Sequence, residues 1–236
     1  MTEEGDISQQ RGTGQIASFL EKVAKTPVTV TPPSSGKLIF AMDATASREP
    51  TWQQARQLQS SMFDVATGLG GLSMQLCFFH GMASFITSPW LHDARQLKAQ
   101  MERVHCLGGL TQIGRVLEHA IKESRQQRIH AVVFIGDCVE ESPDSLSQLA
   151  GKLGVLNTPL FMFQEGQDSN AEMTFRQLAR LSGGAYGCFD AGSARQLADL
   201  LGAVAAFASG GHEAMRLYGR DRGGLAQLLT HQLTSR

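Results

Sequence analysis

No two of the four cysteines in this 236-residue sequence stand two residues apart. They lie at 77, 106, 138 and 188 and lack the short paired spacing that holds structural zinc. They read as reduced thiols of a cytoplasmic protein. Charge of neither sign dominates: 21 Lys and Arg against 22 Asp and Glu leave a formal net charge of -1. That gives a polyanion no footprint, so nucleic acid is not an expected partner. No apolar run approaches the ~20 residues that cross a bilayer, so no membrane partner is expected. The start, MTEEGDISQQRG, is acidic and polar, without the basic flank and apolar stretch of a secretory signal. The expected location is therefore cytoplasmic. Internal repeats, a phosphate-cradling glycine loop and a Ser-His-Asp arrangement are also lacking.

A hydrophobic content of 42% with 18% charged residues is that of a folded protein with one full-sized core. Residues 1–36 read as an N-terminal arm. Within it, Ile16, Phe19, Leu20 and Val23 have helical spacing, and TPVTVTPPSSG (26–36) is a Pro-rich linker. Residues 37–209 read as the domain, and 210–236 as a tail with a helical pattern over 225–233. Removal of residues 1–35 is expected to leave the melting temperature unchanged, and a large fall in a thermal scan would count against that boundary.

Within the domain, LIFAM (38–42), MQLCFF (74–79), AVVFIG (131–136) and PLFMF (159–163) are continuous apolar runs, as expected of strands buried on both faces of a parallel sheet. ASFIT (83–87) follows the His80-Gly81 turn so closely that it must pair antiparallel. AYGCF (185–189) is a sixth short strand. Helices are expected from Pro50 to the LGG at 69–71, and over 93–104, 111–127, 143–153, 171–182 and 193–208. This order implies a doubly wound α/β fold, a mostly parallel six-stranded sheet with one antiparallel edge strand and helices on both faces.

Two of the central strands run directly into aspartate, Asp43 and Asp137. Ligands of open α/β sheets sit beyond the carboxyl ends of strands, where strand order reverses. After Asp43 the loop reads DATAS (43–47), oxygen-bearing side chains alternating with alanine. A third loop carries Gly108-Gly109-Leu110-Thr111 before a helix. Asp43, Thr45, Ser47, Thr111 and Asp137 thus offer two carboxylates and three hydroxyls, an all-oxygen set that suits Mg²⁺ or Mn²⁺. Neutral hydroxyl ligands leave such an ion short of negative charge. An outside carboxylate is then attracted by about 4 kcal/mol at contact distance and an effective dielectric of about 20.

These three segments, DATAS, GGLTQIG (108–114) and VVFIGD (132–137), resemble the metal-ion-dependent adhesion site of von Willebrand factor type A (VWA) domains. That site has the pattern Asp-x-Ser-x-Ser after the first strand, a distant Thr, and an Asp after the fourth. The element order fits the family over residues 37–209. The resemblance implies hydroxyl ligands from Thr45, Ser47 and Thr111, and Asp43 and Asp137 bound directly or through water. It implies an intracellular, non-catalytic protein-binding module whose partner presents an Asp or Glu. Thr45 departs from the usual serine but keeps its hydroxyl; Cys138 stands where glycine is common.

Plainer readings exist for the same residues. The two aspartates could only end strands, and Thr111 could only cap its helix. The acidic cluster Asp137-Cys138-Val139-Glu140-Glu141 reads either as a ring around the metal site or, more plainly, as a solvated loop. His80, His92, His105, His119 and His130 share no ligand spacing. Two rival functions are a metal-independent VWA scaffold and a Mg²⁺-dependent phosphohydrolase with Asp43 as nucleophile. The second is disfavoured because Thr45 stands where such enzymes carry a second acid.

Overall fold

β1 (Gly36–Asp43) is buried along almost its whole length, and its residues alternate between two cores. Leu38, Phe40 and Met42 face one side; Ile39 and Ala41 face the other. This is why the sequence shows an unbroken apolar run rather than an alternating one. The computed structural model describes residues 35–67, 69, 71–190 and 193–234. The short helix expected over 16–23 and most of the linker lie outside the described residues.

A single 3-10 turn (Ala46–Arg48) leads into α1 (Glu49–Thr67). Then come β2 (Leu72–His80), β3 (Ser84–Thr87), α2 (Ala94–Met101) and α3 (Ile113–Gln126). They are followed by β4 (Ala131–Gly136), α4 (Pro143–Val155), β5 (Leu160–Glu165), α5 (Ser169–Ser182) and β6 (Tyr186–Phe189). Two helices close the described chain, α6 (Ala194–Arg222) and α7 (Gly224–Thr234). The sheet order is β3-β2-β1-β4-β5-β6, with β3 antiparallel to β2 and every other pair parallel. The expected doubly wound α/β fold is the observed one.

The core of one face joins Trp52, Ala55 and Met62 of α1, Leu97 of α2 and Leu197, Leu200 and Val204 of α6. The other joins Ile113, Val116 and Leu117 of α3, Leu146 and Leu153 of α4 and Phe175 of α5. Element boundaries differ from expectation by one to three residues at most ends. The larger difference is at the carboxyl end. The helix expected to stop at 208 instead breaks at Gly211, whose φ of 70° no helix tolerates, and resumes to Arg222. Gly211 makes a sharp bend that returns the chain to the core. Met215, Ala226, Leu229 and Leu233 are buried there. Gln232 of α7 accepts from the Tyr186 N–H at 2.9 Å and donates to the Tyr186 carbonyl at 2.8 Å, closing part of the β6 edge.

Candidate metal centre

β1 and β4 lie side by side and parallel, Met42 opposite Ile135, so Asp43 and Asp137 reach the same edge of the sheet. The chain passes from β1 to β2 and β3 on one side, then crosses to β4 on the other. Connections therefore diverge between β1 and β4, the place where open α/β sheets bind their ligands.

Asp43 is wholly buried. Its Oδ1 accepts from the Thr45 N–H at 2.7 Å, while Oδ2 is buried without a hydrogen-bond partner. Burial pushes the carboxyl up to about 6, against hydrogen bonds from Thr45 that pull it down; the Asp137 carboxylate raises it and Arg48 lowers it. The Asp43 carbonyl accepts from the Trp52 indole N–H at 2.8 Å, which pins the strand end to α1. Beyond it, the Thr45 and Ser47 hydroxyl oxygens stand 3.4 Å apart. The Asp137 side chain is more open, 25% exposed. Its Oδ2 accepts from Arg48 at 2.9 Å, and its Oδ1 is buried without a hydrogen-bond partner.

The third segment is carried to this rim by its backbone. The Leu107 N–H donates to the Ala44 carbonyl at 3.0 Å, and the Leu110 N–H to the Gly81 carbonyl at 3.2 Å. A Cβ on Gly109 would collide with the backbone of Gly81, so only glycine allows the approach. Thr111 is buried, and its bonds run to Glu140. Its N–H donates to Glu140 Oε2 at 2.8 Å, and its hydroxyl accepts from the Glu140 N–H at 3.2 Å. Thr111 does not cap α3. Gln112 occupies the cap position without a side-chain bond, and Glu141 accepts from the Ile113 and Gly114 N–H groups at 2.5 and 2.9 Å. Glu140-Glu141 is thus a clamp that ties the Thr111 loop to the loop after β4.

All five candidate residues therefore lie on one rim. Asp43, Thr45 and Ser47 are joined directly and Asp137 through Arg48, whereas the Thr111 hydroxyl accepts from the Glu140 N–H. Each of the two carboxylates keeps one buried oxygen without a hydrogen-bond partner, the type of oxygen that a hard cation takes as a ligand. The donor set fits such an ion. Among the described residues no three His, Cys, Asp or Glu side chains gather as a metal cluster, so hydroxyls must complete any site here.

Sequence reading missed Arg48 and Glu165. Arg48 is buried beside Ser47 and bridges Asp137 and Glu165; the Thr51 hydroxyl bonds the same Glu165 oxygen. A signal was available, since β5 ends on an acid just as β1 does. Three of the histidines have structural partners. His130 Nδ1 accepts from the Lys37 N–H at 2.9 Å, His119 pairs with Gln75 at 2.8 Å and His92 with Ser73 at 2.9 Å. Burial, with the Asp137 carboxylate nearby, pushes the Cys138 thiol up to about 12, so it is held as the unreactive thiol.

Strand order and the antiparallel edge strand are those of the VWA fold. No family model matches this chain, and no curated protein matches it. Solved structures do. An aerotolerance-related membrane protein from Bacteroides fragilis is similar over 70% of this chain and 96% of its own, with TM-score 0.54 and 18% identity. The VWA domain of SpRpn10 is similar over 71% of this chain and 94% of its own, with TM-score 0.53 and 14% identity. Proximal thread matrix protein 1 from the mussel byssus, with zinc in its metal-ion-dependent adhesion motif, is similar over 72% of this chain and 46% of its own, with TM-score 0.56 and 14% identity. At these identities the likeness is one of fold. Among the described residues, no helix is long and apolar enough to cross a membrane.

Proposed function

We propose that this chain is an intracellular, non-catalytic protein-binding module in which a divalent cation, Mg²⁺ or Mn²⁺, recruits an acidic side chain of a partner protein. The observation that carries this reading is the pair of buried, unmatched oxygens, Asp43 Oδ2 and Asp137 Oδ1, beyond the adjoining carboxyl ends of β1 and β4. Asp43, Thr45, Ser47, Thr111 and Asp137 would hold the ion, which would supply a Lewis-acidic position open to an outside carboxylate. The zinc-bearing adhesion motif of the mussel protein supports a divalent ion in this fold. Ion identity rests on the hardness of the five oxygens.

Each residue has a structural task in this reading. Trp52 fixes the end of β1, Gly109 lets the Thr111 loop approach, and Glu140 holds Thr111 by two bonds. Asp43→Ala is expected to abolish Mg²⁺-dependent partner capture while the fold persists. Calorimetry in Mg²⁺ with the captured partner checks this, and undiminished affinity would sink the reading. A metal-independent scaffold is the second reading, favoured by the buried Arg48 cation already paired to Asp137. Partner capture that survives chelator would select it.

A further inference from the structure

Arg48 has no part in the five-oxygen set, yet it is the buried cation of this rim, 7% exposed. One guanidinium nitrogen lies 2.9 Å from Asp137 Oδ2, another donates to Glu165 Oε2, and Nε reaches Ser47 Oγ at 3.4 Å. It therefore touches two of the five candidate ligands together with a third acid that the ligand set does not use. Glu165 is itself 6% exposed and held by the Thr51 hydroxyl, so the Arg48–Glu165 pair is built into the fold rather than floating on its surface.

The charge count gives this pair a consequence. Asp43, Asp137 and Glu165 bring three negative charges to the rim and Arg48 one positive charge, and Glu140 and Glu141 add two more negative charges at the Thr111 loop. With a divalent ion the group sums to -2; without Arg48 it would sum to -3. The less negative rim attracts an outside carboxylate better, and it holds the ion itself less tightly. We propose that Arg48 is a positioning residue that trades metal affinity for partner affinity. By engaging Asp137 and Glu165 it withdraws their charge from the ion and leaves that ion available to an external acid. This rests on the metal reading above.

The trade gives paired effects of opposite sign, which structural damage does not. Mn²⁺ is the probe, titrated by calorimetry into the full-length chain. Acetate is the carboxylate probe, followed by the proton relaxation that bound Mn²⁺ imposes on its methyl group. Arg48→Gln is expected to bind Mn²⁺ about tenfold tighter and to hold acetate more weakly. Glu165→Gln is expected to bind Mn²⁺ about tenfold more weakly and to hold acetate better. Arg48→Lys, which keeps the charge, stays close to wild type. Should Arg48→Gln fail to fold because Glu165 is left buried and unpaired, Glu165→Gln carries the test alone. Weakening of both probes by that variant, or a change in neither, overturns the proposal. A wild-type chain that takes up no Mn²⁺ ends the metal reading and this inference together. Wild-type uptake that is lost in Asp43→Ala but unmoved in Arg48→Gln and Glu165→Gln ends this inference alone.

Discussion

Asp43→Asn is expected to stabilise the metal-free protein at pH 7 and to erase its response to Mg²⁺. The Asp43 carboxyl, ordinarily near 3.8, is raised by burial to about 6. Below about pH 4 the carboxyl is protonated in both folded and unfolded chains, so it favours neither. Between about 4 and 6 the folded state keeps a proton that the unfolded state has released, and stability falls as pH rises. Above about 6 the folded chain carries the buried charge at a cost of about 3 kcal/mol. Asparagine carries no charge and retains an oxygen for the Thr45 N–H. The gap between the two proteins should therefore be small near pH 4 and grow to about 2–3 kcal/mol by pH 7, the lower figure allowing for a weaker bond to Thr45. Urea unfolding in chelator at the two pH values measures it. Added Mg²⁺ at a hundredfold excess over its dissociation constant should return about 2.7 kcal/mol to the wild type and nothing to the variant. An equal gap at both pH values would show that the charge of Asp43 is not held against burial.

Trp52→Ala should come near to abolishing the fold. The indole is wholly buried and packs edge-on against Phe78 with ring centres 5.9 Å apart. Truncating such a side chain costs about 3–5 kcal/mol, and the Asp43 carbonyl loses its 2.8 Å partner as well. Against a total stability of about 5–15 kcal/mol that is a large share. Trp52→Phe separates the two contributions. It keeps most of the packing and leaves the carbonyl unpaired, at about 1–3 kcal/mol. Denaturant midpoints of the three proteins give the split. A Trp52→Phe midpoint equal to wild type would mean that the indole bond does not anchor the strand end.

Much of this architecture is legible along the chain because burial on two faces writes a simple pattern. AVVFIG (131–136) is a strand with the bounds expected of it, since every residue in it is buried. Pro143 opens α4 as its fixed backbone angle suggests, with Ser142 as the cap. Asp43 and Asp137 are visible because an acid directly after an apolar run is unusual. The segment after Gly210 was not legible. Its polar residues mask a face of Met215, Ala226, Leu229 and Leu233 whose burial depends on the bend at Gly211.

Where strands and helices form, that the sheet is mostly parallel, and which oxygen-bearing residues lie beyond its strands are all readable from the chain. They are readable there because those properties follow from local periodicity and from residue type at a strand end. Tertiary structure alone decided the neighbours of each acid. Arg48 meets Glu165 across 117 residues, and Glu140 and Glu141 hold Thr111, Ile113 and Gly114 across 27 to 29. Such pairings depend on which strand ends adjoin at the rim and on how far a side chain reaches there. Neither leaves a periodic trace in the chain.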